Sequence, residues 1–150
     1  RPTFAGRMSR NFLADYLDIA LPSVSWGAEL DEGYHVETEC RPVGEFEDRV
    51  DVVIKTARHV VAVEIKIDAP FGHRQLERYL DSMKRSAALT DRTAHVVTLA
   101  GHDPQYAGVA ATTWHDLARA AERAAGRPVR QRTFTATTIA MFGAYVRRFQ

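Results

Sequence analysis

Two apolar, β-branched runs, 50–56 and 60–67, carry three polar side chains that could do chemistry together: Asp51, Glu64 and Lys66. The intervening Ala57, Arg58 and His59 mark an antiparallel hairpin. A two-residue loop at Ala57 and Arg58, or a four-residue loop from Thr56 to His59, gives one register, in which partner numbers sum to 115. Asp51 then stands opposite Glu64. Directly opposed residues hold their Cβ atoms about 4.5 to 5.5 Å apart, and like charges there repel. Period-two alternation places Lys66 on the Glu64 face and turns Val61, Val63, Ile65 and Ile67 toward the core. Two carboxylates and one ammonium on an otherwise apolar hairpin are costly to keep unless a cation bridges the acids, and hard divalent cations take oxygen ligands. Taken residue by residue, the trio also reads as an ordinary surface salt bridge of little energetic worth.

Two further features favour chemistry. The chain has 17 Arg and only three Lys (Lys55, Lys66, Lys84), so Lys66 stands where a compact, orientable ammonium is wanted and a guanidinium would not substitute. The segment after the hairpin carries Gln75 and Tyr79 four residues apart, on one face of a predicted helix beside the apolar stripe of Leu76, Leu80 and Met83. Arg74 and Arg78 lie on the same turns, where phosphate contact and a plain solvated helix face are equally good readings.

The elements that must position these side chains follow from periodicity. Phe12, Leu13, Tyr16, Leu17 and Ala20 recur at helical spacing, predicting a helix over 7–20 that Pro22 ends, with a loop through Gly33. Alternation over 34–40 predicts a strand with Val36, Thr38 and Cys40 on one face and Glu37 and Glu39 on the other; 41–44 break it. After the hairpin come a helix over 72–84 and strands at 95–99 and 109–112. Thr113 and Asp116 form a capping-box pattern for a helix through Ala125, stopped by Gly126 and Pro128. A last helix over 137–149 is expected to bury Ile139, Phe142, Val146 and Phe149. The sum is an α/β fold, a mixed sheet flanked by helices.

The 150 residues suit one domain over 1–150, and no repeat, low-complexity tract or linker divides them. With 45% apolar and 26% charged residues, the composition excludes disordered and disulfide-scaffold classes. No apolar run spans a membrane, and one cysteine, Cys40, allows no internal disulfide, which points to a reducing, cytoplasmic setting. The His residues include no i, i+4 pair, so a histidine metal site has no support. Trp26 and Trp114 are most simply core or boundary aromatics. The net charge of +1 conceals an acidic stretch over 15–51, with 11 acids against two Arg, and a basic end over 117–150, with seven Arg against Glu122. The chain begins at Arg1, so a truncated piece is an expectation.

Arg49-Val50-Asp51, Val63-Glu64-Ile65-Lys66 and Gln75-Leu76-Glu77-Arg78-Tyr79, in this order, resemble the PD-(D/E)xK nuclease superfamily, in its bacterial branch with D-x-x-I, E-x-K and Q-L-x-x-Y motifs. The resemblance implies a restriction endonuclease-like αβββαβ core with extra C-terminal helices, and cleavage of phosphodiester bonds, in DNA before RNA. It implies Mg²⁺ or Mn²⁺ on Asp51, Glu64 and the Ile65 carbonyl, with Glu39 as an added acid or else a solvent-facing strand residue. Asp51, Glu64, Lys66 and Gln75 would be catalytic, and Arg74, Arg78 and Tyr79 would touch nucleic acid. Val50 replaces the family's proline. The Glu-bearing first helix that often completes such sites is either absent or lost before Arg1, with Asp15 and Asp18 as remote substitutes. Cutting both strands often takes two sites, which makes a homodimer one option, though no feature of the sequence marks one. The alternative is an inert nuclease-fold module that binds nucleic acid or protein.

Overall fold

The sequence of β3, His59–Ile65, is HVVAVEI, a run of small and β-branched apolar residues long enough for one strand and too short for a helix. In the computed structural model, which describes residues 4–40, 49–72, 74–126 and 133–149, Val60 through Glu64 of this strand are all buried, so both of its faces are covered. That corrects the one-sided reading of the hairpin. β3 is a central strand, and such strands read as continuous apolar runs rather than alternating ones.

The strand order is β1-β2-β3-β4-β5, with β1 Tyr34–Cys40, β2 Val50–Thr56, β4 Thr93–Ala100 and β5 Val109–Thr113. β1 pairs with β2 and β2 with β3 antiparallel, while β3 and β4 run parallel, so the sheet is mixed. The hairpin register is the expected one: Val52 faces Val63 and Lys55 faces Val60. Its two-residue turn is tied by Thr56, whose Oγ1 accepts from the His59 N–H at 3.0 Å. The remaining elements are α1 Phe4–Ala20, α2 Trp26–Asp31, α3 Gln75–Leu89, α4 Trp114–Ala125 and α5 Phe134–Val146. The αβββαβ order holds, with C-terminal helices after it, and the fold is α/β.

Residues 28–112 form one compact unit, which holds the sheet and α3. In it Leu76, Tyr79, Met83 and Ala87 recur on one side of α3. Tyr79, Met83 and Ala87 close over Val50, Val53, Val60, Ala62 and Val96 of the sheet. Burial of each Val or Met side chain in this layer is worth about 1.5 to 3 kcal/mol before the loss of entropy is set against it. This layer fixes α3 across the strands that carry Asp51 and Glu64.

The second unit, residues 1–27 with 113–150, contains α1, α4 and α5. The capping box of α4 is formed: Thr113 Oγ1 accepts from the Asp116 N–H at 3.2 Å, and Asp116 accepts from the Thr113 N–H at 2.9 Å. Gly143 of α5 is required by close approach to α4, since a Cβ there would lie 3.1 Å from the Ala121 Cβ and 3.2 Å from the Ala118 carbonyl oxygen. Trp26 and Trp114 are both buried.

Several expectations are corrected. The segment before Gly33 is not all loop, because α2 forms there; its six residues are too few to show periodicity. Ile67 is not core but 52% exposed, because β3 ends at Ile65. α3 begins at Gln75 and continues to Leu89, and α5 spans Phe134–Val146 rather than 137–149. Phe142 is 42% exposed and Ile139 only half-buried, since Ala136, Gly143 and Val146 form the buried stripe of α5. The breaker at 41–44 and Pro128 lie outside the described residues.

Candidate active site

Asp51 lies one residue beyond the last paired position of the β2–β3 ladder, and its side chain continues that ladder: Oδ2 accepts from the Ile65 N–H at 2.8 Å. The bond holds the Asp51 carboxylate beside the end of β3, where Glu64 projects. Glu64 is 3% exposed. Its Oε1 accepts from Gln75 Nε2 at 2.7 Å and pairs with Lys66 Nζ at 2.8 Å. Its Oε2 is buried and has no hydrogen-bond partner among the described residues. An unpaired carboxylate oxygen in the interior costs several kcal/mol or more unless something binds it.

Gln75 is held from three directions. Its Oε1 accepts from the Gly72 N–H at 3.0 Å, while Nε2 donates to both Glu64 and the Tyr79 hydroxyl, the latter at 2.8 Å. The amide orientation follows from this set of partners. Tyr79 in turn donates to the Arg49 carbonyl at 2.8 Å, which links α3 to the start of β2. Lys66 follows β3, its backbone anchored by donation to the Leu99 carbonyl at 2.9 Å, so the ammonium is carried at the end of a central strand rather than on a free loop.

The electrostatics match the geometry. Burial pushes the Glu64 carboxyl above its ordinary range, the Lys66 hydrogen bond pulls it back, and the Asp51 charge adds to the rise. Burial likewise pushes the Tyr79 phenol up to about 12, with the Glu64 and Asp51 charges adding to it, so Tyr79 stays a neutral donor.

The structure thus brings Asp51, Glu64, Ile65, Lys66 and Gln75 together, but not every expected residue. Tyr79, expected against nucleic acid, is 3% exposed, and its hydroxyl is engaged inside the protein; it positions Gln75 instead. Glu39, expected as a metal ligand, is exposed and ion-paired with Arg49, and its positive φ of 54° turns it out of the regular strand. Among the described residues no three His, Cys, Asp or Glu side chains gather as a metal-binding group, so the acid pair stands without Glu39. Glu37 holds Lys55 through both carboxylate oxygens at 3.0 Å. Glu29 pairs with Arg58 and accepts from Thr56 Oγ1 at 3.1 Å; burial would raise its carboxyl, but these bonds outweigh that and hold it low. The described strand acids before Asp51 therefore serve ion pairs, and Asp51 alone of that stretch reaches the site. Arg74 and Arg78 are exposed on α3, Arg74 lying 3.6 Å from Glu77.

Two features escaped sequence reasoning. Thr98 is the register partner of Glu64 on β4 and wholly buried, with its hydroxyl unpaired among the described residues. A lone Thr in the run Val96-Val97-Thr98-Leu99 was the available signal. The other is an open cavity of about 310 Å³ lined by Lys66, Pro70, Gly101 and His102, which gives the ammonium access to solvent.

The donors fit a hard divalent cation: two carboxylates meet at one strand end, and a buried oxygen of Glu64 lacks a protein partner. No curated protein and no solved structure matches the chain. A family model described as the PD-(D/E)XK nuclease superfamily matches residues 6–139, which include the hairpin, Lys66 and the Gln75–Tyr79 helix turn. The chain belongs to the PD-(D/E)XK nuclease superfamily.

Proposed function

We propose that this protein hydrolyses phosphodiester bonds in nucleic acid, DNA foremost, using a divalent cation held by Asp51, Glu64 and the Ile65 carbonyl. The observation that carries the reading is the Glu64 carboxylate. It is buried and raised in pKa, and the Gln75 and Lys66 donors both fall on Oε1, leaving Oε2 buried without a hydrogen-bond partner among the described residues, with the Tyr79 hydroxyl near the carboxylate. Mg²⁺ or Mn²⁺, when bound, polarises the phosphate and lowers the pKa of a water. Asp51 holds its place through the Ile65 N–H and offers its second oxygen. Lys66 neutralises Glu64 and lines the adjoining cavity, where its ammonium can stabilise charge developing on a phosphate oxygen. Gln75 fixes the Glu64 rotamer, and exposed Arg74 and Arg78 supply positive charge for the strand backbone.

The test is incubation with linear, circular and single-stranded DNA and with RNA, in Mg²⁺, Mn²⁺ or EDTA, for the wild type and Lys66→Ala. Cleavage that needs metal and falls in the variant supports the reading; equal activity in both proteins defeats it. Absence of a Mn²⁺ response in calorimetry, together with retained nucleic-acid binding, would identify an inert binding module instead.

A further inference from the structure

Beside the carboxylate pair lies a second cavity of about 390 Å³, lined by Phe71, Gly72, Arg74, Gln75, His102 and Tyr106 among others. His102 lines both this cavity and the one at Lys66, so the two adjoin at that residue. The volume lies at the small-ligand end of the range for binding pockets, roughly 300 to 1,000 Å³.

The lining has the character of a stacking site. The Phe71 and His102 rings meet edge to face, with centroids 6.3 Å apart and planes at 74°. Tyr106, 39% exposed, lines the same cavity. The loop that carries His102 and Tyr106 is held in shape. Asp103 Oδ1 accepts from the Gln105 N–H at 2.6 Å, Gln105 is in the left-handed region at φ 51°, and the Tyr106 carbonyl accepts from the Val109 N–H at 3.1 Å. Arg74, also in a left-handed conformation at φ 54°, lines the cavity with an exposed side chain whose Nε lies 3.6 Å from Glu77. A cavity edged by aromatic rings, with Arg74, Gln75 and Asp103 also in its lining, offers ring surface for a nucleobase and polar groups for its edge.

We infer that this cavity receives the base of a nucleotide next to the phosphate at Lys66, which makes unpaired nucleic acid, single-stranded or at an end, the preferred substrate class. The inference rests on the nuclease reading for the direction of the strand, and it specifies the substrate for the same site. A base stacked inside a duplex reaches such a slot only by leaving the stack, whereas a single strand has no such cost. Phe71, His102 and Tyr106 are binding groups here, with no role in bond cleavage.

The experiment measures anisotropy of a fluorescein-labelled 12-nucleotide single strand and of a blunt 12-base-pair duplex, both in EDTA, followed by cleavage of each in Mn²⁺. Single-strand binding tighter than duplex binding by about tenfold is expected. Phe71→Ala and Tyr106→Ala should each weaken the single strand by about 5- to 100-fold, with duplex binding little changed. His102→Ala, a substitution at an exposed position, serves as the control should Phe71→Ala lower the melting temperature. Equal affinity for both forms, wild-type affinity in all three variants, or no binding to either form overturns the pocket. Metal-dependent cleavage lost in Lys66→Ala would then still uphold the nuclease reading. Aromatic-dependent single-strand binding without any cleavage would instead uphold the pocket and defeat the nuclease reading.

Discussion

Gln75 Nε2 donates to Glu64 Oε1 at 2.7 Å, on the same carboxylate oxygen that receives the Lys66 ammonium at 2.8 Å. Two donors converge on one oxygen, and the other is left buried and unpaired among the described residues. A helix residue and a strand-end residue together decide which face of the carboxylate remains for a ligand.

Gln75→Ala should therefore damage both fold and site. It strips a donor from Glu64 and leaves the Gly72 N–H without its acceptor, and it takes from Tyr79 the bond that Nε2 donates. Loss of stability of about 1 to 3 kcal/mol is expected in urea titration. Mn²⁺ affinity should fall about 10- to 100-fold in calorimetry, the usual result of removing a group that orients a ligand. Unchanged Mn²⁺ affinity would show that the Glu64 rotamer is held by Lys66 alone.

Glu64→Gln should separate stability from function. Burial raises the Glu64 carboxyl above its ordinary value near 4.5, so the folded state holds its proton to higher pH than the unfolded chain does. Below pH 4.5 both states are protonated and nothing is lost; as pH rises through the folded value, ionisation favours unfolding. Without metal, the neutral variant should melt higher than wild type at pH 7, with the gap closing toward pH 4. Added Mn²⁺ should raise the melting temperature of the wild type only. A variant that melts lower at pH 7 would mean the Lys66 ion pair outweighs the burial of charge.

Lys66→Ala should lower kcat by about 10²- to 10³-fold, the scale for losing one preorganised donor to a developing charge. Lys66→Arg should recover only part of this, since a planar guanidinium cannot place a point charge on Glu64 Oε1 in the same way. Removing the ammonium also removes a group that pulls the Glu64 carboxyl down, so Mn²⁺ binding should shift to higher pH. Calorimetry at pH 6 and pH 8 reads this shift, which a purely structural lysine would not produce.

Away from the site, His59 Nδ1 and His95 Nε2 lie 3.0 Å apart across β3 and β4, and His59 Nε2 is 4.0 Å from Glu29. Burial holds His95 below the ordinary value of 6.5, and His59 pushes it lower still. The unfolded chain thus takes up a proton before the folded one does. His95 contributes its full stability above pH 6.5 and loses it as pH falls through the folded value. Melting temperature should drop between pH 7 and pH 5 in wild type, and His95→Gln should flatten that slope. An unchanged slope would place the acid lability elsewhere.

Apart from the short α2, the order of elements was legible in the sequence, as were the β2–β3 register and the placing of Asp51 beside the end of β3, because each depends on local rules. Alternation, turn length and capping act within a few residues, and the hairpin register follows from its loop. Lys66 follows from the same alternation and its rarity. What the sequence could not show was which surfaces meet. Tyr79 looked like a strand-facing contact for nucleic acid, yet packing of α3 on the sheet buries it and turns its hydroxyl into a brace. Glu39 shared every local feature of a ligand, but its backbone turns out of the strand and Arg49 takes its carboxylate. Thr98 became a neighbour of Glu64 only through parallel pairing across 34 residues of chain. The stacking cavity likewise joins Phe71 to Tyr106. Short-range sterics and hydrogen bonding are written in neighbouring residues, while burial and long-range pairing depend on which distant segments pack together within each compact unit.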